Sequence, residues 1–394
     1  MNRRIATDLP PPSPDALAVS AELSRRIAAA IAEAGGRIRF EQFMSLALYA
    51  PGLGYYSAGA AKLGAAGDFV TAPEISPLFG RCLAHQLADI LAEKSHAAIL
   101  EFGAGSGRLA VDLLSELQGL QRLPERYLIL EVSADLRARQ QALLRQRLPE
   151  LFERIAWLDA LPEDFSGVVL ANEVLDAMPV VRFRKSAAAH FVEMGVQNLE
   201  QGFGWTEIEA EPELSERLAA IESECGALPA GYTSEINPRL DAWFSGLAAA
   251  MSRGAVFIID YGYAHREFYH PQRQDGTLLC HYRHRVHADP FLWIGLQDIT
   301  ASVDFTAAAE AAHAAGFEVA GYTSQAQFLL ALGITERMSE AIEIDPAHTL
   351  HYSQQVKQLT LPGEMGERFK VLALTRGIDT NLRGFSLANQ VNRL

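Results

Sequence analysis

Carboxylates and glycines at the ends of apolar runs are the residues of this 394-residue chain whose types and spacing can do chemistry. Glu101 sits near the end of His96-Ala-Ala-Ile-Leu-Glu-Phe, and Gly103, Gly105 and Gly107 follow at alternate positions. Glycine there permits positive φ in a tight turn and removes the Cβ atoms that would hold a ligand off the backbone amides. Leu109, Leu113, Leu114 and Leu117 then share one helical face, so the segment reads as strand, turn and helix. A second run, Tyr127-Leu-Ile-Leu, ends in Glu131. An acid at that end of a second strand can accept hydrogen bonds from both hydroxyls of a ribose, or simply favour the dipole of the helix that follows. A third run, Val168-Val-Leu-Ala, delivers Asn172, Glu173 and Asp176 before Pro179. Two carboxylates so placed can orient a guanidinium through bidentate hydrogen bonds, or serve as cap and dipole partner of a helix.

The glycine spacing bears on the ligand. A dinucleotide fingerprint is G-x-G-x-x-G, and its last glycine would fall on Arg108. The G-x-G-x-G pattern found here is the looser one of S-adenosylmethionine sites, with a ligand-free βα turn as the alternative for the loop taken alone. Methyl transfer is an in-line displacement on carbon, so the protein must align the nucleophile, exclude water and present it unprotonated.

These residues need a sheet to position them. Strands are expected near 97–102, 127–131, 154–158 and 167–172, separated by helical stretches, with another buried strand at Ala255-Val-Phe-Ile-Ile-Asp260 and a closing strand Phe369 to Thr375. Ala16 to Ala34 reads as an amphipathic helix, and Ser76-Pro77 as cap and first residue of a helix Leu78 to Leu91. The segment Phe40 to Gly80 is dense in glycine, proline and aromatic residues, and Val180 to Ala210 alternates like antiparallel strands. The expected organisation is one elaborated α/β domain: a tail at 1–15, an N-terminal helical and loop extension at 16–95, a cofactor-binding core at 96–179, an inserted hairpin and helical region at 180–253, completion of the sheet at 254–377 and a tail at 378–394.

Composition narrows the function classes. The net charge of -14 argues against general affinity for nucleic-acid backbones and suits a cationic partner. No segment has the apolar length to span a bilayer, and the N-terminus has no hydrophobic core of a signal peptide. Cys82, Cys225 and Cys280 are few and far apart, which fits a reducing compartment and a cytoplasmic location. His281, His284 and His287 lie three apart in an arginine-laced run, without partners spaced to complete a metal site, and no metal is expected. The arginines of helix 137–147, interleaved with Gln140 and Gln141, read as a solvated face.

The segments GYYS at 54–57, GDFVTAPEIS at 67–76, EFGAGSGRLA at 101–110, ANEVLDAMPV at 171–180, IIDYG at 258–262, GTLLCHYRH at 276–284 and GERFKVLAL at 366–374 resemble, in this order, the MidA family of S-adenosylmethionine-dependent methyltransferases. The resemblance implies a Rossmann-like class I methyltransferase fold with a mostly parallel seven-stranded sheet. It implies that Glu101, Gly103, Gly105 and Gly107 line the methionine end of the cofactor, that Glu131 holds the ribose, and that Asp159 accepts from the adenine amino group. Asn172 and Glu173 should face the cofactor and the target nitrogen, with Asp176 or Glu74 as the second carboxylate. Gly67, Asp68, Phe69, Thr71, Pro73 and Glu74 should form a cover that excludes water. The implied substrate is a protein arginine; similar mitochondrial proteins act on the quinone-site subunit of respiratory complex I, and a matrix location applies only to a eukaryotic source. The insertion at 180–210 offers a homodimer surface. The other readings are transfer to lysine or a small molecule, an assembly chaperone with dispensable catalysis, and an NAD-dependent oxidoreductase. Ala104 stands where the family often has proline. Equilibrium dialysis separates the last reading from the first: S-adenosylmethionine is expected to bind and NAD is not.

Overall fold

The computed structural model describes residues 9–57, 70–92, 97–188, 190–380 and 382–394. The chain divides into two compact units, each assembled from discontinuous stretches. One comprises Val70–Leu175, Leu240–Gly262 and Phe305–Leu394; the other comprises Met1–Phe69, Asp176–Arg239 and Tyr263–Asp304.

The first unit is built on strands β1 (Ala98–Phe102), β2 (Tyr127–Leu130), β3 (Ile155–Leu158), β4 (Phe165–Asn172), β5 (Met251–Tyr263), β6 (Glu318–Ser324) and β7 (Phe369–Arg376). They lie on one path of an eight-stranded sheet in the order β6-β7-β5-β4-β1-β2-β3. Strands β3, β2, β1, β4 and β5 run parallel. Order reverses between β1 and β4, the topological switch point at whose carboxyl edge open α/β sheets bind ligands.

The sheet is mixed, because one of the seven strands on this path, β7, runs against the rest. β7 runs antiparallel to both β5 and β6. Ser324 at the end of β6 is the register partner of Lys370 near the start of β7, so the helices Gln325–Ala331, Ile334–Ile344 and Thr349–Thr360 return to their point of departure. A strand starting there can pair only by running back.

Helices of this unit begin where their first residues dictate. Ser133 caps Ala134–Arg147 by accepting from the Leu136 amide, and Ser76 accepts from the Leu78 amide before Pro77–Ala92. The buried apolar face of Pro77–Ala92, including Phe79, Leu83 and Leu87, joins Leu109, Leu113 and Leu117 of Arg108–Gly119 in one core with the inward residues of the sheet.

The second unit holds a five-stranded antiparallel sheet in which Phe191–Asn198 is central. Val181–Lys185 and Arg37–Arg39 pair along one of its edges in succession, and Phe203–Glu209 pairs along its length. The inserted hairpin is therefore part of a larger sheet that takes in a strand from the N-terminal extension. That extension also forms the helices Pro14–Glu33, capped by Ser13, and Phe40–Tyr49. A smaller sheet joins Leu279–Tyr282, Arg285–His287 and Asp298–Thr300.

The central strands of the first unit approach too closely for any side chain at two points. A Cβ on Gly167 of β4 would lie 1.9 Å from the Ala98 carbonyl oxygen of β1, and one on Gly254 of β5 would lie 1.8 Å from that of Gly167. Gly167→Ala is expected to lower stability by about 3 kcal/mol, since the added methyl meets rigid backbone. Urea unfolding of the variant beside the parent chain measures it.

Candidate functional site

The carboxyl edge of β1 carries the glycine loop. Gly103, Gly105 and Gly107 have φ of 58°, 54° and 86°, all left-handed, as the alternate-glycine pattern requires. The Gly103 amide donates to the Leu130 carbonyl, extending the ladder to β2, and the Gly107 amide closes the turn on the Ala104 carbonyl at 2.8 Å. A Cβ on Gly103 would meet nothing nearer than Val174 Cγ2 at 3.9 Å, so its face is open. Arg108, where a dinucleotide fingerprint would have its third glycine, is the first residue of the helix.

Two acids flank this loop. Glu101 is 2% exposed and accepts from the Tyr127 hydroxyl at 2.8 Å. Burial pushes its carboxyl up to about 7, against the lowering effect of that hydrogen bond. Glu131, 6% exposed, accepts from the Ser133 amide and from Gln140 Nε2, each at 2.9 Å. Burial raises it too, opposed by those two donors and by Arg137. Each carboxylate oxygen has two acceptor positions, so Glu131 keeps capacity for further donors.

Glu74 lies on the short helix Ala72–Ile75, and its carboxylate is engaged by the loop itself: Ser106 Oγ donates to Oε1, and Arg108 Nη1 stands 3.5 Å from Oε2. Thr71 precedes this helix and accepts from the Glu74 amide through its carbonyl. The expected cover residues Gly67, Asp68 and Phe69 lie outside the described residues. Asp159, just past β3, has a side chain 88% exposed and pairs with Arg137 at 2.7 Å.

At the end of β4, Asn172 donates through Nδ2 to Glu173 Oε1 at 3.3 Å, and its Oδ1 is buried without a hydrogen-bond partner among the described residues. Glu173 has φ of 54°, and its amide donates to the Ile259 carbonyl of β5 at 2.8 Å. One residue further along β5, Asp260 is fully buried and accepts from the amides of Leu175 and Tyr261. Asp176 belongs to the second unit, where its carbonyl accepts from the Ala301 amide. There the Tyr56 hydroxyl donates to Asp298 at 2.9 Å, and burial, then the charges of Asp298, Tyr49 and Asp176, raise the Tyr56 phenol well above its usual range.

The first unit thus brings Glu101, the glycines, Glu131, Asn172 and Glu173 to the carboxyl edge of its sheet and sets Glu74 against the loop. Ser106, Tyr127, Asp260 and Gln140 were missed. Gln140 is fully buried, a correction to the solvated face expected of its helix. A signal for it exists: it stands four residues from Leu136 and from Leu144 on the inward stripe.

The histidines alternate across a hairpin. Cys280 pairs with His287 and His281 with Val286, which puts His281 and His287 on opposite strand faces, while Arg283 and His284 make the turn in left-handed conformations. Burial pushes His281 down to about 4. Among the described residues no three His, Cys, Asp or Glu side chains group as metal ligands, and no helix is long and apolar enough to cross a membrane.

Residues 80–323 match the model of a family described as "Putative S-adenosyl-L-methionine-dependent methyltransferase". A crystal structure of a Burkholderia thailandensis protein bound to S-adenosyl-homocysteine is 46% identical with a TM-score of 0.94, covering 98% of this chain and 100% of that one. A native crystal structure from the same organism is 45% identical with a TM-score of 0.91 over the same shares. The protein arginine methyltransferase NDUFAF7 of Mus musculus, mitochondrial, is 28% identical over 387 residues, covering 86% of this chain and 81% of its own. The Danio rerio protein of that name is 29% identical over 391 residues, covering 86% and 84%.

Glu101 gives a stability test. In the folded chain burial pushes its carboxyl up to about 7, above the ordinary 4.5. Between those values the folded state holds a proton the unfolded state has lost, so the group's contribution falls as pH rises through that window. Glu101→Gln is expected to gain stability relative to the parent at pH 8 compared with pH 5, as urea unfolding at both values will report.

Proposed function

The chain belongs to this family of S-adenosyl-L-methionine-dependent methyltransferases, and we propose that it methylates arginine in a protein substrate. The observation that carries the cofactor half of this reading is the run of three left-handed glycines between buried Glu101 and Arg108, with Glu131 at the end of the neighbouring strand. Glu101, Gly103, Gly105 and Gly107 would hold the methionine end, Glu131 the ribose and Asp159 the adenine amino group. The buried Oδ1 of Asn172 has acceptor capacity that a cofactor ammonium would satisfy. Bound there, S-adenosylmethionine supplies a methyl group made electrophilic by its sulfonium.

The chain's own residues do the rest. A guanidinium with a pKa above about 12 stays charged, so its nitrogen must be oriented and relieved of a proton as it attacks. Glu173, at the exit of β4, would hold the guanidinium through charge-assisted hydrogen bonds and take that proton. Asp176, the other carboxylate proposed, belongs to the second unit. It lies where Asp298 adds negative charge and where Tyr49 and Tyr56 stack with ring centroids 5.4 Å apart, a setting that favours a cation. Glu74, engaged by Ser106 and Arg108, fits a role in holding the loop.

The arginine target draws support from the relatives named as protein arginine methyltransferases and from the acidic, cation-seeking net charge of -14. The quinone-site subunit of respiratory complex I is the candidate protein, in the cytoplasm of a bacterial source. With labelled S-adenosylmethionine and a complex I preparation from a strain lacking this chain, methylarginine is expected in the acid hydrolysate. Glu173→Gln should reduce its formation at least about a hundredfold, the scale of losing general-base assistance. Label on lysine, or undiminished labelling by the variant, would refute the assignment.

A further inference from the structure

Gln140 stands where three elements meet. It is 0% exposed, on the inward stripe of the helix Ala134–Arg147. Its Nε2 donates to the Gly105 carbonyl and to Glu131 Oε2, both at 2.9 Å, and its Oε1 accepts from Trp157 Nε1 at 2.9 Å. Two acceptors on one side and a donor on the other fix the amide orientation, because the reverse would set oxygen against two oxygens. The helix also closes on the loop at Gly107, where an added Cβ would come within 3.5 Å of Gln140 Cα and Cγ.

We propose that Gln140 is a positioning residue of the cofactor site: it ties the glycine loop to the Glu131 carboxylate and holds that carboxylate in register with the ribose hydroxyls. The inference rests on the reading of Glu131 as the ribose acceptor. Without Gln140, the Gly105 carbonyl and one Glu131 oxygen lose their buried donor, and the carboxylate can turn toward the Ser133 amide alone. Trp157, the donor to the amide oxygen, anchors the assembly to β3 and holds Gln140 in a single rotamer.

The electrostatics run the same way. Burial raises the Glu131 carboxyl, and the groups acting on it are the Ser133 amide, the Gln140 amide, Arg137 and the Val132 amide, all lowering it, with Glu101 facing it from β1. Removing the Gln140 donor raises Glu131 further. Protonation then removes acceptor capacity at a higher pH, so cofactor affinity falls sooner on acidification.

The test uses the full chain, Gln140→Leu, Gln140→Glu and Glu131→Ala, titrated calorimetrically at pH 8 and pH 6 with S-adenosylhomocysteine and its 2′-deoxy analogue. The parent is expected to bind the deoxy analogue more weakly. Gln140→Leu should bind S-adenosylhomocysteine about tenfold more weakly or worse, the scale of losing a hydrogen bond to a charged group. In that variant the penalty for the missing hydroxyl should shrink and the loss from pH 8 to pH 6 should grow. Equal weakening of both ligands, or unchanged affinity, would overturn the proposal. Glu131→Ala separates the two levels. If that variant keeps both affinity and the hydroxyl penalty, the ribose reading itself fails; if it loses them while Gln140→Leu keeps them, only the role of Gln140 fails. Gln140→Glu keeps an acceptor for Trp157 and sets a second carboxylate against Glu131. It should lose the hydroxyl penalty too, which carries the test if the leucine variant does not fold.

Discussion

Everything at the carboxyl edge depends on how closely β1, β4 and β5 approach at Ala98, Gly167 and Gly254. Those backbones leave no room for a Cβ at either glycine, and this contact fixes the register of the three strands. From that register the far ends follow. Phe102 is level with Ala171, and Asn172 with Ile259, so Gly103 and Glu173 leave the sheet within a residue of one another, beside Asp260 of β5. A slip by one residue would turn each acid to the opposite face of the sheet. The glycines are thus remote from the chemistry and still determine where it can occur.

The cost of this arrangement is desolvation. Glu101, Glu131 and Asp260 are buried carboxylates at the end of a hydrophobic sheet, and unpaired each would favour its neutral form. Each is given local donors instead: the Tyr127 hydroxyl, the Ser133 and Gln140 amides, and the backbone of Leu175 and Tyr261. Glu101 has one such donor and is raised to about 7, whereas at Glu131 two donors oppose the upward push of burial.

How much of this was legible follows from local pattern strength. The strands carrying Glu101, Glu131 and Asn172 are short unbroken apolar runs ended by glycine or a carboxylate, and such runs announce buried parallel strands. The glycine loop was legible because alternate glycines have few other uses. By contrast, Arg37–Arg39 is a three-residue strand with charge at both ends, and only its partner Phe191–Asn198 makes it a strand. Gln140 was hidden because the helix around it is polar on nearly every side, and its inward stripe of Leu136, Gln140 and Leu144 has a polar residue at its centre. The antiparallel β7 was hidden for a different reason, since strand direction is set by where a long helical excursion ends and not by any residue in the strand.

Glu173 shows how strain and function meet in this sheet. Left-handed backbone costs a side-chain-bearing residue roughly 1–2 kcal/mol, and glycine would adopt it without that penalty. The first unit meets the same need with glycine at Gly103, Gly105 and Gly107, all in the loop beside it. At the exit of β4 it has a glutamate, held by its amide on the Ile259 carbonyl and by Asn172 on its carboxylate. The sharp left-handed step ends β4 at Asn172 and releases the carboxylate at the switch point, where an ordinary extended residue would have continued the ladder. Inference runs from the outlier to the role: a strained residue persists where its surroundings over-determine it, and here they hold in place a group that a glycine could not supply.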